Sequence, residues 1–307
     1  MVISAISCCI MFPHPLLYIL AVMFIGARQH ALLILLHDGA HHRLAKNTLL
    51  NDIIAELFLA WPFVIVHMRN YRATHFQHHR FLNSDKDPDW IWKQKAKWPR
   101  VKWLTKPREP SIHNPESQPD SLWHFPVSAK KLSYILVSNL LFYGFWTALL
   151  RNSNSAKRQK SHKDKIFQLA WMAYQICIFS LLYMKGWLGY YLLFWIIPMV
   201  TWLQLCMLIR NIAEHFAIKP ERILYGETRT TVPNWLDKTF LVPRNIGFHI
   251  EHHLHPSIPY YHLPKCHVDY MKLPRFRQTA HITKGYWQTL KECVTTRTAQ
   301  QRGMDHT

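Results

Sequence analysis

Apolar positions along this chain fall in long unbroken runs rather than in the three-and-four spacing of soluble amphipathic helices. Residues 16–36 make a run of 21, about 31 Å as a helix at ~1.5 Å per residue, which matches a bilayer's hydrocarbon thickness. Arg28, Gln29 and His30 sit near its middle, so one face is expected to look into protein. Residues 166–184 and 187–209 are uncharged runs of 19 and 23, separated only by Lys185-Gly186. That spacing predicts two antiparallel spans joined by a tight turn. Residues 132–150 form another uncharged run of 19, whereas 53–66 is shorter, holds Glu56 and Pro62, and is too short to cross. Residues 1–12 are also too short. The pattern predicts an all-α, polytopic integral membrane protein forming one domain over 1–307, with spans near 16–36, 166–184 and 187–209.

Charge then orients the chain. Of 37 Lys+Arg against 18 Asp+Glu, 13 basic residues lie in 67–131 and six in 151–165, while the 185–186 turn carries one. By the positive-inside rule the basic segments are cytoplasmic and Lys185 is on the far side. The same polar segments lower the mean hydropathy to −0.10. Only 18% of residues are charged and 49% are hydrophobic, which argues against disorder and against a nucleic-acid-binding module despite the net charge of +19. The basic surface also suits an acidic redox partner. The six cysteines have no paired spacing and imply no disulfide framework. Residues 107–119, with Pro107, Pro110, Pro115 and Pro119, read as a loop.

The chemistry is carried by 21 histidines. Four clusters stand out: His37-Asp-Gly-Ala-His41-His42, His75-Phe-Gln-His78-His79, Asn211-Ile-Ala-Glu-His215 and His249-Ile-Glu-His252-His253. Each spacing is i,i+3 or i,i+4, which places side chains on one helical face. His37, His41, His75, His78, His79, His215, His249, His252 and His253 supply nine imidazoles, with Asn211 as a further contributor. Nine donors suit two metals with open positions, and all-imidazole donation suits iron, zinc, copper or nickel rather than magnesium or calcium. No Glu-x-x-His occurs, so the soluble di-iron pattern is absent. In the first cluster either His41 or His42 can follow His37. His41 is favoured because i+4 shares a face and i+5 does not. Asp38, Glu214 and Glu251 neighbour these histidines and are candidates to accept a ligand's second N–H.

These clusters, in this order, resemble the membrane fatty-acid desaturase superfamily over roughly residues 26–265. Arg28-Gln29-His30, Asp87-Pro88-Asp89-Trp90, Thr228-Arg229-Thr230-Thr231 and the stretch His253-Leu-His-Pro-Ser-Ile-Pro are similar to bacterial-type members. The resemblance implies a mushroom of membrane helices under a cytosolic helical cap, drawn here from 37–131 and 210–307, that holds two non-haem irons. It implies iron ligation by the nine histidines, with Asn211 reaching an iron through a water. Members usually carry two full spans before the first histidine box, whereas here the first is expected to be missing or cut short.

Topology constrains this picture. All four clusters must face one compartment, so 53–66 should re-enter or lie flat, and 132–150, although long enough to span, is predicted to be an interfacial helix. An unactivated methylene C–H bond is beyond side-chain acids and bases. It calls for a redox metal, O2 and two electrons. With no C-x-x-C pair and no appended haem domain visible, the electrons are expected from a separate ferredoxin or cytochrome b5. The expected activity is O2-dependent desaturation of a fatty-acyl chain. The alternative within the same superfamily is a hydroxylase or ketolase acting on a carotenoid, alkane or acyl lipid. A zinc protease or metal transporter is a third, weaker reading, since His37-Asp38-x-x-His41 imitates His-Glu-x-x-His but leaves six surplus histidines.

Overall fold

A computed structural model describes residues 1–90, 127–155, 162–216, 225 and 227–294. Among these, three helices are long and apolar enough to cross a membrane: Pro15–Ala40, Lys165–Met184 and Leu188–His215. The first begins at Pro15, where the fixed φ and missing N–H suit a helix start and the His14 side chain accepts from the Leu16 amide at 3.2 Å. A short helix, α1 (Val2–Met11), precedes this long one, α2 (Pro15–Ala40), and packs against it through Val2, Ile6 and Cys9.

Two segments bend where a shared compartment for the histidine clusters argues against a crossing. Helix α3 (Thr48–Ile54) continues through a π turn at Ala55–Ala60 and a 3-10 turn at Trp61–Phe63. It then meets α4 (Met68–Phe81) at 100°. Glu56 fixes the corner: its carboxylate accepts from the Trp61 indole at 2.9 Å and from the Met68 amide at 3.0 Å. It thereby satisfies an orphan donor at the start of α4. Further on, α5 (Ala129–Leu140) and α6 (Tyr143–Ser155) meet at 73°. The expected single helix over 132–150 is therefore two. Phe142, at φ 67, breaks it in the left-handed region that a bulky residue rarely enters.

The long hairpin has the predicted turn. Helix α7 (His162–Met184) ends on Gly186 at φ +69, with Gly186 N–H bonded to Tyr183 O and Trp187 N–H to Leu182 O, a Schellman closure. The returning span is built from α8 (Leu188–Tyr191), a π turn at Leu192–Ile196, α9 (Ile197–Val200) and α10 (Trp202–His215). The π turn sits directly before Pro198, whose ring blocks an ordinary helical bond to the preceding turn. Leu169, Met172 and Ile176 of α7 are exposed, an apolar surface of the kind that suits a lipid environment.

The described chain departs from an all-helical reading in one place. β1 (Arg229–Val232) and β2 (His281–Lys284) pair in parallel, with Thr230 opposite Ile282. The remaining elements are α11 (Trp235–Phe240), α12 (His249–Leu254), α13 (Leu263–Tyr270), α14 (Pro274–Thr279) and α15 (Tyr286–Glu292). One buried cluster, Ile34, Leu205, Ile209, Val242, Ile246 and Tyr286, ties α2 and α10 to this C-terminal region. A second joins Leu36 and Ala40 to Leu59, Trp61 and Met68 at the 100° corner. Both clusters flank the ends of α2 and α10, where the histidines lie. Residues 107–119, read above as a loop, fall outside the described residues.

Candidate metal centre

Four helix segments bring the histidines together. Helix α2 supplies His37 and, at its C-cap, His41. Helix α4 supplies His75, His78 and His79. Helix α10 ends on His215, and α12 carries His249, His252 and His253. The nine imidazoles form two groups, each with its donor atoms within 4.8 Å of one another: His37, His41, His75, His79 and His252, and His78, His215, His249 and His253. Helical periodicity explains the division. On α4, His75 and His79 stand one turn apart and share a group while His78 turns to the other. On α12, His249 and His253 pair in the same way and His252 crosses over.

The geometry of the first group is that of lone pairs converging on a point. His75 Nε2 lies 2.9 Å from His41 Nε2 and 3.1 Å from His79 Nε2, and His79 Nε2 lies 3.0 Å from His252 Nε2. A neutral imidazole has one proton and cannot satisfy several such contacts. His37 is fully buried, and neither ring nitrogen has a hydrogen-bond partner. In the second group His249 Nε2 is 3.1 Å from His215 Nε2 and 3.0 Å from His253 Nε2. Burial first, then the neighbouring imidazoles, holds His249 and His252 well below the ordinary imidazole range, so both are neutral donors. Orphaned buried nitrogens and neutral, converging rings fit a bound transition metal.

His42 does not join them. With φ 57 it leaves the helical path, and its ring faces Asp52 at 3.7 Å. Asn211 lies one turn before His215, and its amide NH2 donates to Met207 O at 3.2 Å.

The three neighbouring carboxylates take different parts. Glu214 accepts from Arg210 at 2.6 Å and stands 3.4 Å from His249 Nδ1. Asp38 is 3.7 Å from His37 Nδ1 and accepts from the Tyr260 amide at 3.2 Å. Glu251 touches no histidine of either group. Its two oxygens accept from Thr230 Oγ1 and from His267 Nδ1, both at 2.6 Å, because on α12 its side chain faces β1 and α13.

Two residues outside the expected set are integral to the arrangement. Asp87, 1% exposed, stands 2.9 Å from His78 Nδ1, while its carboxylate also accepts the Asn83 and Asp89 amides. Asp87 lies in the Asp87-Pro88-Asp89-Trp90 stretch, so the motif was legible although its link to His78 was not. Arg72 lies one turn before His75 and donates to Ala40 O at 3.0 Å and Gly39 O at 2.9 Å. It also pairs with both Asp52 oxygens. It caps carbonyls at the C-terminal end of α2 that lack a helical partner and ties the first histidine helix to the second.

Residues 13–284 match the family described as fatty acid desaturase. Among curated proteins, the chain is 30% identical to dihydrorhizobitoxine desaturase of Bradyrhizobium elkanii over 271 residues, 86% of this chain and 70% of that protein. It is 20% identical to a chloroplastic omega-6 fatty acid desaturase of Spinacia oleracea over 85% of this chain. It is 26% identical to the sphingolipid delta(4)-desaturase/C4-monooxygenase of Homo sapiens over 80% of this chain. The chain spans 54% of the spinach protein and 62% of the human one. With a match from the start of α2 to the end of β2 and the histidine helices inside it, the chain belongs to the fatty acid desaturase family, a family of iron-using oxidoreductases.

Proposed function

We propose that this protein is an O2-dependent lipid desaturase with two non-haem irons, one held by His37, His41, His75, His79 and His252 and the other by His78, His215, His249 and His253. The observation that carries the reading is the partition of nine buried or half-buried imidazoles into two converging groups. Asn211 is assigned to a water on one metal. Bound iron would supply the redox chemistry that an unactivated methylene requires, with O2, two electrons and two protons converting a –CH2–CH2– unit to –CH=CH– and two waters.

The chain's own residues position and insulate. Asp87 accepts the His78 Nδ1 proton and so fixes the tautomer that presents Nε2 to the site. Glu214, held by Arg210, stands in the corresponding place for His249. Glu251 acts one step away, anchoring α12 to Thr230 and His267. A cavity of about 210 Å³ between α2, α5, α6 and α10 includes Asn211 and is lined mainly by apolar side chains such as Phe63, Phe145 and Leu203. Such a wall admits an alkyl segment and excludes water.

The centre lies on the cytoplasmic side in this account. The α7 to α10 hairpin crosses and returns, and the bent α3–α4 and α5–α6 pairs re-enter. Electrons come from a separate ferredoxin or cytochrome b5 attracted by the basic surface. Hydroxylation is the second reading, favoured by the human relative whose name carries both desaturase and monooxygenase. The test is expression in a host with simple lipids and a competent donor, with acyl chains profiled by mass spectrometry against His252→Ala. A double bond absent from the variant supports desaturation. A new hydroxyl group moves the assignment to hydroxylation, and an unchanged profile with a confirmed donor overturns both.

A further inference from the structure

Helix α4 turns His75 and His78 inward and a different stripe outward. Arg69, Ala73, Phe76 and Arg80 follow one another at helical spacing, so they line one side, and all four are exposed. Phe76 is 43% exposed, whereas Met68, Tyr71 and Phe81 of the same helix are buried or half-buried. A single exposed apolar residue is ordinary on a protein surface, and the neighbour of Phe76 is what gives it meaning. Its ring centroid lies 5.4 Å from that of His41. His41 is a half-buried member of the first histidine group, while His37, His75 and His252 of that group are buried. Phe76 therefore sets a solvent-reachable apolar ring directly against a metal-ligand candidate.

Cations frame this ring. Arg80 stands one turn beyond Phe76, and Arg43 follows His41 by two residues. Arg80 and Lys86 share the Phe81 ring, their charged ends 5.2 and 5.9 Å from its centroid. Between residues 43 and 90, Arg43, Lys46, Arg69, Arg80 and Lys86 are exposed, against a single exposed carboxylate, Asp85. No residue of α4 lines the apolar cavity beside Asn211. A visitor at Phe76 and an alkyl chain in that cavity would therefore reach the histidines from different walls.

We infer that Phe76, framed by Arg43 and Arg80, is the docking point of an acidic electron-carrier protein, whose cofactor edge approaches the first metal position through Phe76 and His41. The inference rests on the two-electron reading above and fixes where its reductant binds. Each carrier molecule is oxidised by one electron and the bound metals are reduced by it, so two carriers serve one turnover and no covalent bond changes at this surface. A small apolar centre inside a charged rim suits a transient encounter: the rim steers and orients the partner, and the centre excludes water where the two meet.

The test uses the full chain in nanodiscs of neutral phosphatidylcholine and two acidic probes in their oxidised forms, a plant-type [2Fe–2S] ferredoxin and the soluble haem domain of cytochrome b5. Binding is read by fluorescence anisotropy of the labelled probe and needs no turnover. At least one probe is expected to bind at about 50 mM salt and to weaken roughly tenfold at about 200 mM. Arg43→Glu combined with Arg80→Glu is expected to cost about tenfold at the lower salt and little at the higher. Phe76→Ala is expected to cost about fivefold at both, the mark of a lost apolar contact rather than a lost charge. Reversing Arg275 and Arg277, exposed on α14, should leave binding unchanged, as should Leu254→Ala at the exposed residue after His253. Thermal unfolding and metal content confirm that each variant is intact. Failure of both probes to bind the wild-type protein, or binding indifferent to salt, overturns the inference without any variant. So does an equal loss on reversing α14, or a loss at Leu254 with none at Phe76. Carrier binding at Phe76 by a protein that forms no lipid product would keep the docking surface and sink the desaturase reading. Desaturated lipid without carrier binding there would do the reverse.

Discussion

Replacing Asp87 by Asn isolates the carboxylate that aims His78. The native carboxylate takes the His78 Nδ1 proton at 2.9 Å while receiving the Asn83 and Asp89 amides at 3.0 and 2.9 Å. An asparagine keeps the shape but loses the charge, and its NH2 cannot accept two of these contacts if it replaces Oδ2. A hydrogen bond to a charged group contributes about 1.5–3 kcal/mol, and loss of a ligand's outer partner costs about 10–100-fold in metal affinity. The loss falls on one group only, because His78 belongs with His215, His249 and His253, whereas the other five histidines are held by different residues. Iron per chain in the purified variant is therefore expected to fall from two toward one after dialysis against a moderate chelator, and the surviving iron is expected to resist removal as in wild type. Asp85→Asn, at an exposed carboxylate two residues away, controls for loss of charge. Asp87→Asn protein that retains two irons with unchanged release kinetics would refute the reasoning, and equal loss of both irons would refute the partition.

Other expectations follow from the same contacts. Arg72→Ala removes the cap on Gly39 and Ala40 and should destabilise the protein by about 2–3 kcal/mol, read as a lower unfolding temperature in detergent. His41→Ala should release iron while His42→Ala, whose ring faces Asp52, should keep the wild-type content. Metal-free protein should lose stability on acidification: burial first, then Arg43, lowers His41 to about 4, below its unfolded value of about 6.5. That contribution is full above pH 6.5 and lost as pH falls through the folded value, about 2 kcal/mol by pH 5 for this residue. A metal-free unfolding temperature that stays flat between pH 7 and 5 would contradict it.

Hydrophobic run length and histidine spacing made much of this molecule legible. The three long helices and the Gly186 turn follow from predominantly apolar runs whose length and breakpoints are local properties. The nine histidines were identifiable because helical spacing places i,i+3 and i,i+4 side chains together. Their division into groups of five and four was not, because it depends on how α2, α4, α10 and α12 cross. The same limit applies to Glu251, which is adjacent to His252 in sequence but faces Thr230 and His267 in space. The break at Phe142 escaped because the left-handed position is taken by a bulky residue and the nearby Gly144 stands two residues past it. Arg72 acts through contacts with Gly39, Ala40 and Asp52, and Asp87 meets His78 only because the turn after α4 folds back on that helix, so both roles appear only with the fold. The short β1–β2 pairing joins residues about fifty apart and leaves no long alternating pattern.

The most direct measurement of the central claim is metal content with iron K-edge absorption on protein purified without added zinc or chelator. Two irons per chain, ligated by nitrogen and light-atom solvent ligands with no sulfur, is the predicted result. His252→Ala should deplete one group and His215→Ala the other. A single iron, or zinc filling the same sites with iron absent, would contradict the account.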